Sequence, residues 1–198
     1  MGKNDEYQGF VAHPRYGRGP RVTGLNPTRP EYTKPGMPLV KFHWHSGSDC
    51  RIPNTAIVAD VSKQNFTTFP VTHYFDAKRT CQGCSGSFLF FAEEQRHWYE
   101  ELGFPLDANC VRCVRCRKRE QGIAHKRQRY EDLFHVPNPN DEELLDMAEC
   151  CVSLIEASVF SPRQHERVRM LLHRVPDHPR HSKRRQEVLA RVRKLEER

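Results

Sequence analysis

A chain of 198 residues that is 37% hydrophobic and carries 14 prolines is poorly suited to one large core, so several small units are expected. Its net charge of +7 favours a polyanionic partner such as nucleic acid, because a basic surface attracts phosphate whatever the base sequence. The opening residues Met1 to Glu6 are polar, with no apolar signal core, and no run of about eighteen apolar residues occurs anywhere, which argues against a membrane span and for an intracellular, cytoplasmic protein.

Residues 1–75 hold eight of the prolines, which fix φ, remove backbone donors and break any long helix, so this third reads as loop-rich. Two short apolar runs, Leu39 to Trp44 and Thr55 to Ala59, are expected as strands, with His45 to Asp49 as turn chemistry between them. The stretch Pro14 to Arg21 interleaves arginines with Tyr16 and glycines. That composition can contact phosphate and stack on a base, or serve as an exposed arm. His43, His45 and Cys50 are candidate ligands of a second metal, although two histidines one residue apart on a strand are more often ordinary.

Residues 76–120 carry the most informative pattern, two Cys-x-x-Cys pairs, Cys81/Cys84 and Cys113/Cys116. A tetrahedral zinc ion takes four thiolates at about 2.3 Å, and a two-residue spacer lets one tight turn present two of them. Two such pairs close a structural site, with no position left for water or substrate. Without a secretory signal, metal explains the pairing better than disulfides do. A redox role for Cys81/Cys84 lacks a surrounding βαβ pattern, and the run Cys110, Cys113, Cys116 lacks a fourth ferredoxin cysteine, since Glu120 follows at about the position where one would be expected. Between the pairs, Ser87 to Phe91 is expected as a strand and Ala92 to Leu102 as a helix stopped by Gly103. Trp98, Tyr99 and Phe104 are expected to pack over the unit.

The cysteine unit runs into a basic segment and linker at 121–139, so that Arg112, Arg115, Arg117, Lys118, Arg119, Lys126 and Arg127 form a candidate phosphate-binding set ahead of Pro137 to Asn140. From 140 to 198 the chain reads as helical. Asn140 and Glu143 form a capping box, and Leu144, Leu145, Ala148, Cys151, Val152, Ile155 and Val159 recur on one stripe. Ser161 with Gln164 predicts a second capping box, with Val168, Leu171, Leu172 and Val175 as the buried stripe of its helix. After Asp177-His178-Pro179 a third helix buries Val188, Leu189, Val192 and Leu195. The vicinal pair Cys150-Cys151 is expected in this core.

The central stretch resembles a family of probable zinc-ribbon domains from uncharacterised, mostly bacterial proteins. Its elements occur here in order: Cys81/Cys84, Phe88/Phe90, Glu94-Gln95, Gly103-Phe104, and Arg112-Cys113 to Cys116-Arg117. The resemblance implies a four-cysteine zinc site and prefers Cys113 and Cys116 over Cys110, because Arg112 and Arg117 then fall on the flanking basic positions. The chain departs from the pattern at Ser85 and Val114, where glycine and proline are usual, and at Phe91, where a capping threonine is usual.

The expected fold is therefore small α+β: a proline-rich region with short strands, a central zinc ribbon and a C-terminal three-helix bundle. No triad, nucleotide-cradling loop or carboxylate pair stands out, so no enzyme is expected. The expected function is non-catalytic binding of nucleic acid, RNA, the ribosome or DNA, around one structural Zn2+. The alternative is a protein–protein adaptor in which the zinc is purely structural and the acidic first C-terminal helix, Asp141 to Glu149, and the basic third one are docking or mutually paired surfaces.

Overall fold

The structure is a computed structural model that describes residues 6–27, 41–45, 47–65 and 69–197. It divides into two units, Met1–Arg117 and Lys118–Arg198. The first contains strands β1 (Ile57–Val58), β2 (His73–Tyr74), β3 (Ala77–Thr80) and β4 (Ser87–Phe90) and the short helix α1 (Ala92–Arg96). Helix α2 (Val114–Phe134) begins in the first unit and supplies the start of the second, which adds α3 (Asp141–Glu156), α4 (His165–Arg174) and α5 (Pro179–Glu196). Among the described residues no helix is long and apolar enough to cross a membrane.

In the first unit the strands form two antiparallel pairs, β1 with β2 and β3 with β4. The β3–β4 hairpin aligns Ala77 with Phe90 and Thr80 with Ser87, and residues 81–86 turn between them. β4 reads Ser-Phe-Leu-Phe, and both of its faces are covered. Phe88 and Phe90 pack among Cys81, Cys110, Cys113 and Cys116, while Leu89 joins Phe91, Tyr7 and Ile52 on the other side. A strand buried on both faces reads as a continuous apolar run, which is why this one was visible in sequence. β3, with Lys78 and Arg79, has no such signature and was not expected.

The strand expected at Thr55 to Ala59 is present as β1, but it pairs with His73 and Tyr74. Of the run Leu39 to Trp44, Leu39 and Val40 lie outside the described residues, and Phe42 makes only an isolated bridge to His73. The helix expected at 92–102 begins as α1, continues as a π-helical turn at His97–Glu101, and ends before Gly103, whose φ of +67° suits glycine.

The second unit has one core, in which Leu145, Ala148, Cys151, Val152, Leu154, Val168, Leu172, Val188 and Val192 are buried. The Asn140–Glu143 capping box forms as expected, with Oδ1 of Asn140 accepting from the Glu143 amide at 3.0 Å and the Glu143 carboxylate accepting from the Asn140 amide at 2.8 Å. The second box does not form. Pro162–Gln164 is a 3₁₀ turn, Ser161 makes no side-chain cap, and α4 starts only at His165. His178 caps α5 instead, its ring nitrogen accepting from the Arg180 amide, with Pro179 at the first helical position. Val159, assigned to the α3 stripe, lies beyond the helix and is exposed. The segment 121–139, read as a basic stretch and linker, is helical as far as Phe134, because Tyr130 and Leu133 enter the core beside the three expected helices.

Candidate metal centre

Cys81 and Cys84 sit in the turn that follows β3. Cys113 immediately precedes α2 and Cys116 lies in its first turn. The four Sγ atoms all lie within 4.8 Å of one another, and those of Cys84 and Cys113 are 3.9 Å apart. Four sulfurs at about 2.3 Å from a tetrahedral ion are roughly 3.8 Å apart, so side-chain movements of about 1 Å or less would bring the set onto zinc. Among the described residues this is the one group of three or more metal-ligating side chains placed to share an ion.

The local backbone explains how the sulfurs converge. A Cβ on Gly83 would lie 3.3 Å from Cys116 Sγ, a tight contact, so glycine lets the turn approach the helix this closely without displacing the sulfur. Ser85 has a φ of +56°, the left-handed conformation that glycine adopts freely, so a serine is held here at some strain. The amides of Gly83 and Cys113 both donate to Cys81 Sγ at 3.3 Å.

The electrostatics favour a cation. Burial pushes the Cys81 thiol up, but the amide donors of Cys113 and Gly83 outweigh it and bring the group down to about 6. Cys116 moves the other way, to about 12, through burial and then its contacts with the thiols of Cys113 and Cys81. One thiolate is welcome in this cluster and a second is opposed by the first. Four become compatible only when a divalent ion offsets their charge.

Cys110 stays outside the set. Its thiol donates to Arg112 O at 3.5 Å, and burial pushes it up to about 12. His43 and His45 turn to backbone carbonyls, Leu106 O at 2.7 Å and Asp107 O at 3.2 Å, so they do not form a second metal site with Cys50. Cys151 is fully buried in the helical core, which raises its thiol to about 11 and removes it from reactivity.

Polar and aromatic side chains around the cysteines tie the strands and helices of this unit together. Gln95 is buried, and its Nε2 donates to Phe75 O at 2.6 Å and Phe90 O at 2.9 Å. Glu94 is buried and binds the guanidinium of Arg117, which also lies over the Trp98 ring, 4.8 Å from its centroid. Trp98 in turn packs on Phe90 and Phe104, and Tyr99 is buried with its hydroxyl donating to Ala108 O. Asp76 was not anticipated. Phe91 offers no cap to α1, and the carboxylate of Asp76 accepts from the Ala92 amide at 2.7 Å in its place, while its other oxygen accepts from the Arg21 amide at 2.7 Å. A lone aspartate sixteen residues before the helix gives no sequence signal for such a cap.

The candidate phosphate-binding set divides. Arg117 is held by Glu94 and Trp98, Lys126 donates to Ser153 Oγ at 2.9 Å, and Arg127 pairs with Glu131 at 3.0 Å. Arg112 is half-buried near Gly83. Arg115, Lys118 and Arg119 are exposed at i, i+3 and i+4 spacing on α2, with no ion pair among the described residues. The Pro14 to Arg21 stretch is folded down rather than free: Tyr16 stacks on His13 and packs on Phe91, and Arg21 pairs with Glu93 at 2.8 Å.

Residues 75–125 match the family model described as a probable treble clef domain. Together with the four-cysteine cluster, this places a zinc-ribbon-like, zinc-binding domain in the middle of the chain. The geometry agrees with that description, since the second cysteine pair lies at the start of a helix rather than in a second hairpin turn. Neither a curated protein nor a solved structure matches the chain.

Proposed function

We propose that the protein is a non-catalytic nucleic-acid-binding protein whose four cysteines hold one zinc ion as scaffold. Four thiolates fill a tetrahedral shell, so the site would order the hairpin and the start of α2 while offering no position for a reacting water. The observation that carries the binding reading is the exposed trio Arg115, Lys118 and Arg119, placed on the helix that starts at the cysteine pair.

Cations at a helix start oppose the macrodipole, and α2 has no acidic residue in its first turn. A centre of four thiolates and one divalent ion carries a net charge of about −2, which offsets part of that cost. The exposed guanidinium and ammonium groups keep their outward faces available for phosphate oxygens. The adaptor reading draws less support. Of its two options for the acidic helix, mutual pairing is the one seen: Glu142, Asp146 and Glu149 on α3 are engaged within the unit by Arg184 at 2.7–2.8 Å, which leaves less of that face for docking.

Binding to arbitrary oligonucleotides should weaken steeply as salt is raised. Substituting glutamine for Arg115, Lys118 and Arg119 together should reduce the log–log salt slope by about 2–3 on duplex DNA. The change Arg127→Gln should leave the slope unaltered. Absence of salt-dependent binding to RNA and DNA alike would remove this reading in favour of the adaptor.

A further inference from the structure

The outer edge of β3 is interrupted in a way the metal centre does not use. Amides of alternate residues on an antiparallel strand point to opposite neighbours. The amide of Lys78 donates outward to Cys50 O at 2.8 Å and that of Gln82 to Val111 O at 2.9 Å, while Cys81 bonds inward to Gly86 O. Thr80 lies between the two outward bridges, so its N–H faces the gap.

That gap opens into a cleft of about 410 Å³ lined by Lys78, Arg79, Gln82, Asn109 and Phe10, and no carboxylate lines it. Its volume lies within the range of small-ligand sites. A peptide cannot add here as a further strand, because the covering segments at Cys50 and Val111 already occupy the edge on either side of Thr80.

We propose that this cleft binds a small phosphate ester, specifically a mononucleotide. Lys78 supplies the cationic group, Arg79 on the opposite face of the strand adds positive potential from within the fold, and the Thr80 amide is a fixed donor for phosphate oxygens. The carboxamides of Gln82 and Asn109 each pair a donor with an acceptor, as a base edge does, and Phe10 offers an aromatic surface. Lys78 is paired with Glu6, an exposed carboxylate that phosphate can displace. The cleft residues differ from the exposed trio on α2, so the site does not depend on the polymer-binding reading.

The test is titration of the full-length protein with AMP, adenosine and inorganic phosphate, followed by amide NMR shifts. AMP is expected to move the Thr80 backbone amide and the Gln82 and Asn109 side-chain amides with a Kd of about 1 mM or tighter, and adenosine to bind at least roughly tenfold more weakly. Lys78→Gln and Arg79→Gln should each weaken AMP by about threefold or more, and either variant that keeps the wild-type spectrum suffices for the comparison. Equal binding of adenosine and AMP, shifts confined to Arg115, Lys118 and Arg119, or no shift at about 10 mM AMP would each overturn the assignment.

Discussion

Asp76 shows how one buried side chain can replace a missing local signal. Its carboxylate is 1% exposed yet accepts two backbone amides, from Ala92 and Arg21. Burial raises the group from 3.8 to about 6, against the pull of those amides and ahead of the nearby Glu93 charge. The folded protein therefore holds the proton more tightly than the unfolded chain does. The stabilisation linked to that proton is complete below about pH 4 and is lost as pH rises through about 6. Carboxyl-carbon NMR should give an Asp76 midpoint near 6, and a midpoint near 4 would contradict the burial argument. Asp76→Ala leaves the Ala92 amide unsatisfied and should cost about 2 kcal/mol in denaturant unfolding at neutral pH. Asp76→Asn keeps one acceptor, so its loss should be smaller, and its stability should no longer fall between pH 4 and 6 through this group. Single-residue roles of this kind depend on partners distant in sequence, and neither Phe91 nor Asp76 announces the arrangement.

At the scale of elements, α3 and α5 are joined by charge as well as by their apolar stripes. Arg184 reaches Glu142, Asp146 and Glu149, which lie three to four residues apart on α3, and these bonds push its guanidinium further above its ordinary value. Arg191 adds a bidentate pair with Glu156 at 2.9 and 2.6 Å. The Arg184 side chain is one-third exposed, so each bond is screened and the set is worth little more than a good surface network. Arg184→Ala should lower stability by about 1 kcal/mol at low salt and by clearly less in about 1 M salt, measured by chemical denaturation. A salt-independent loss would mean that the arginine stem packs rather than pairs. The three C-terminal helices could be read from capping residues and apolar spacing because those signals are local. Tyr130 and Leu133 of α2 could not, since that helix is polar along most of its length and only a neighbouring core tells which two residues face inward.

For the molecule as a whole, the two units are stabilised differently. The second has a continuous apolar core, whereas the first has several small clusters, one of them built around the cysteines. Metal binding in such small sites supplies folding free energy on the order of 10 kcal/mol. Chelation should therefore abolish hydrogen-exchange protection in β3, β4 and the first turn of α2 while α3, α4 and α5 keep theirs. Cys116→Ser should lose the metal and Cys110→Ser retain it, by elemental analysis. Retained protection in the hairpin after complete metal removal would show that zinc is not the scaffold. What the chain's own sequence determined was the metal site, the strand and helix between its cysteines, and the C-terminal helices, all of which rest on spacings of a few residues. The tertiary structure alone decided that Arg117 is held by Glu94 while Arg115 has no ion pair among the described residues, and that β3 has an open gap at Thr80. Those outcomes depend on burial and on partners brought together from far along the chain, and no local pattern encodes them.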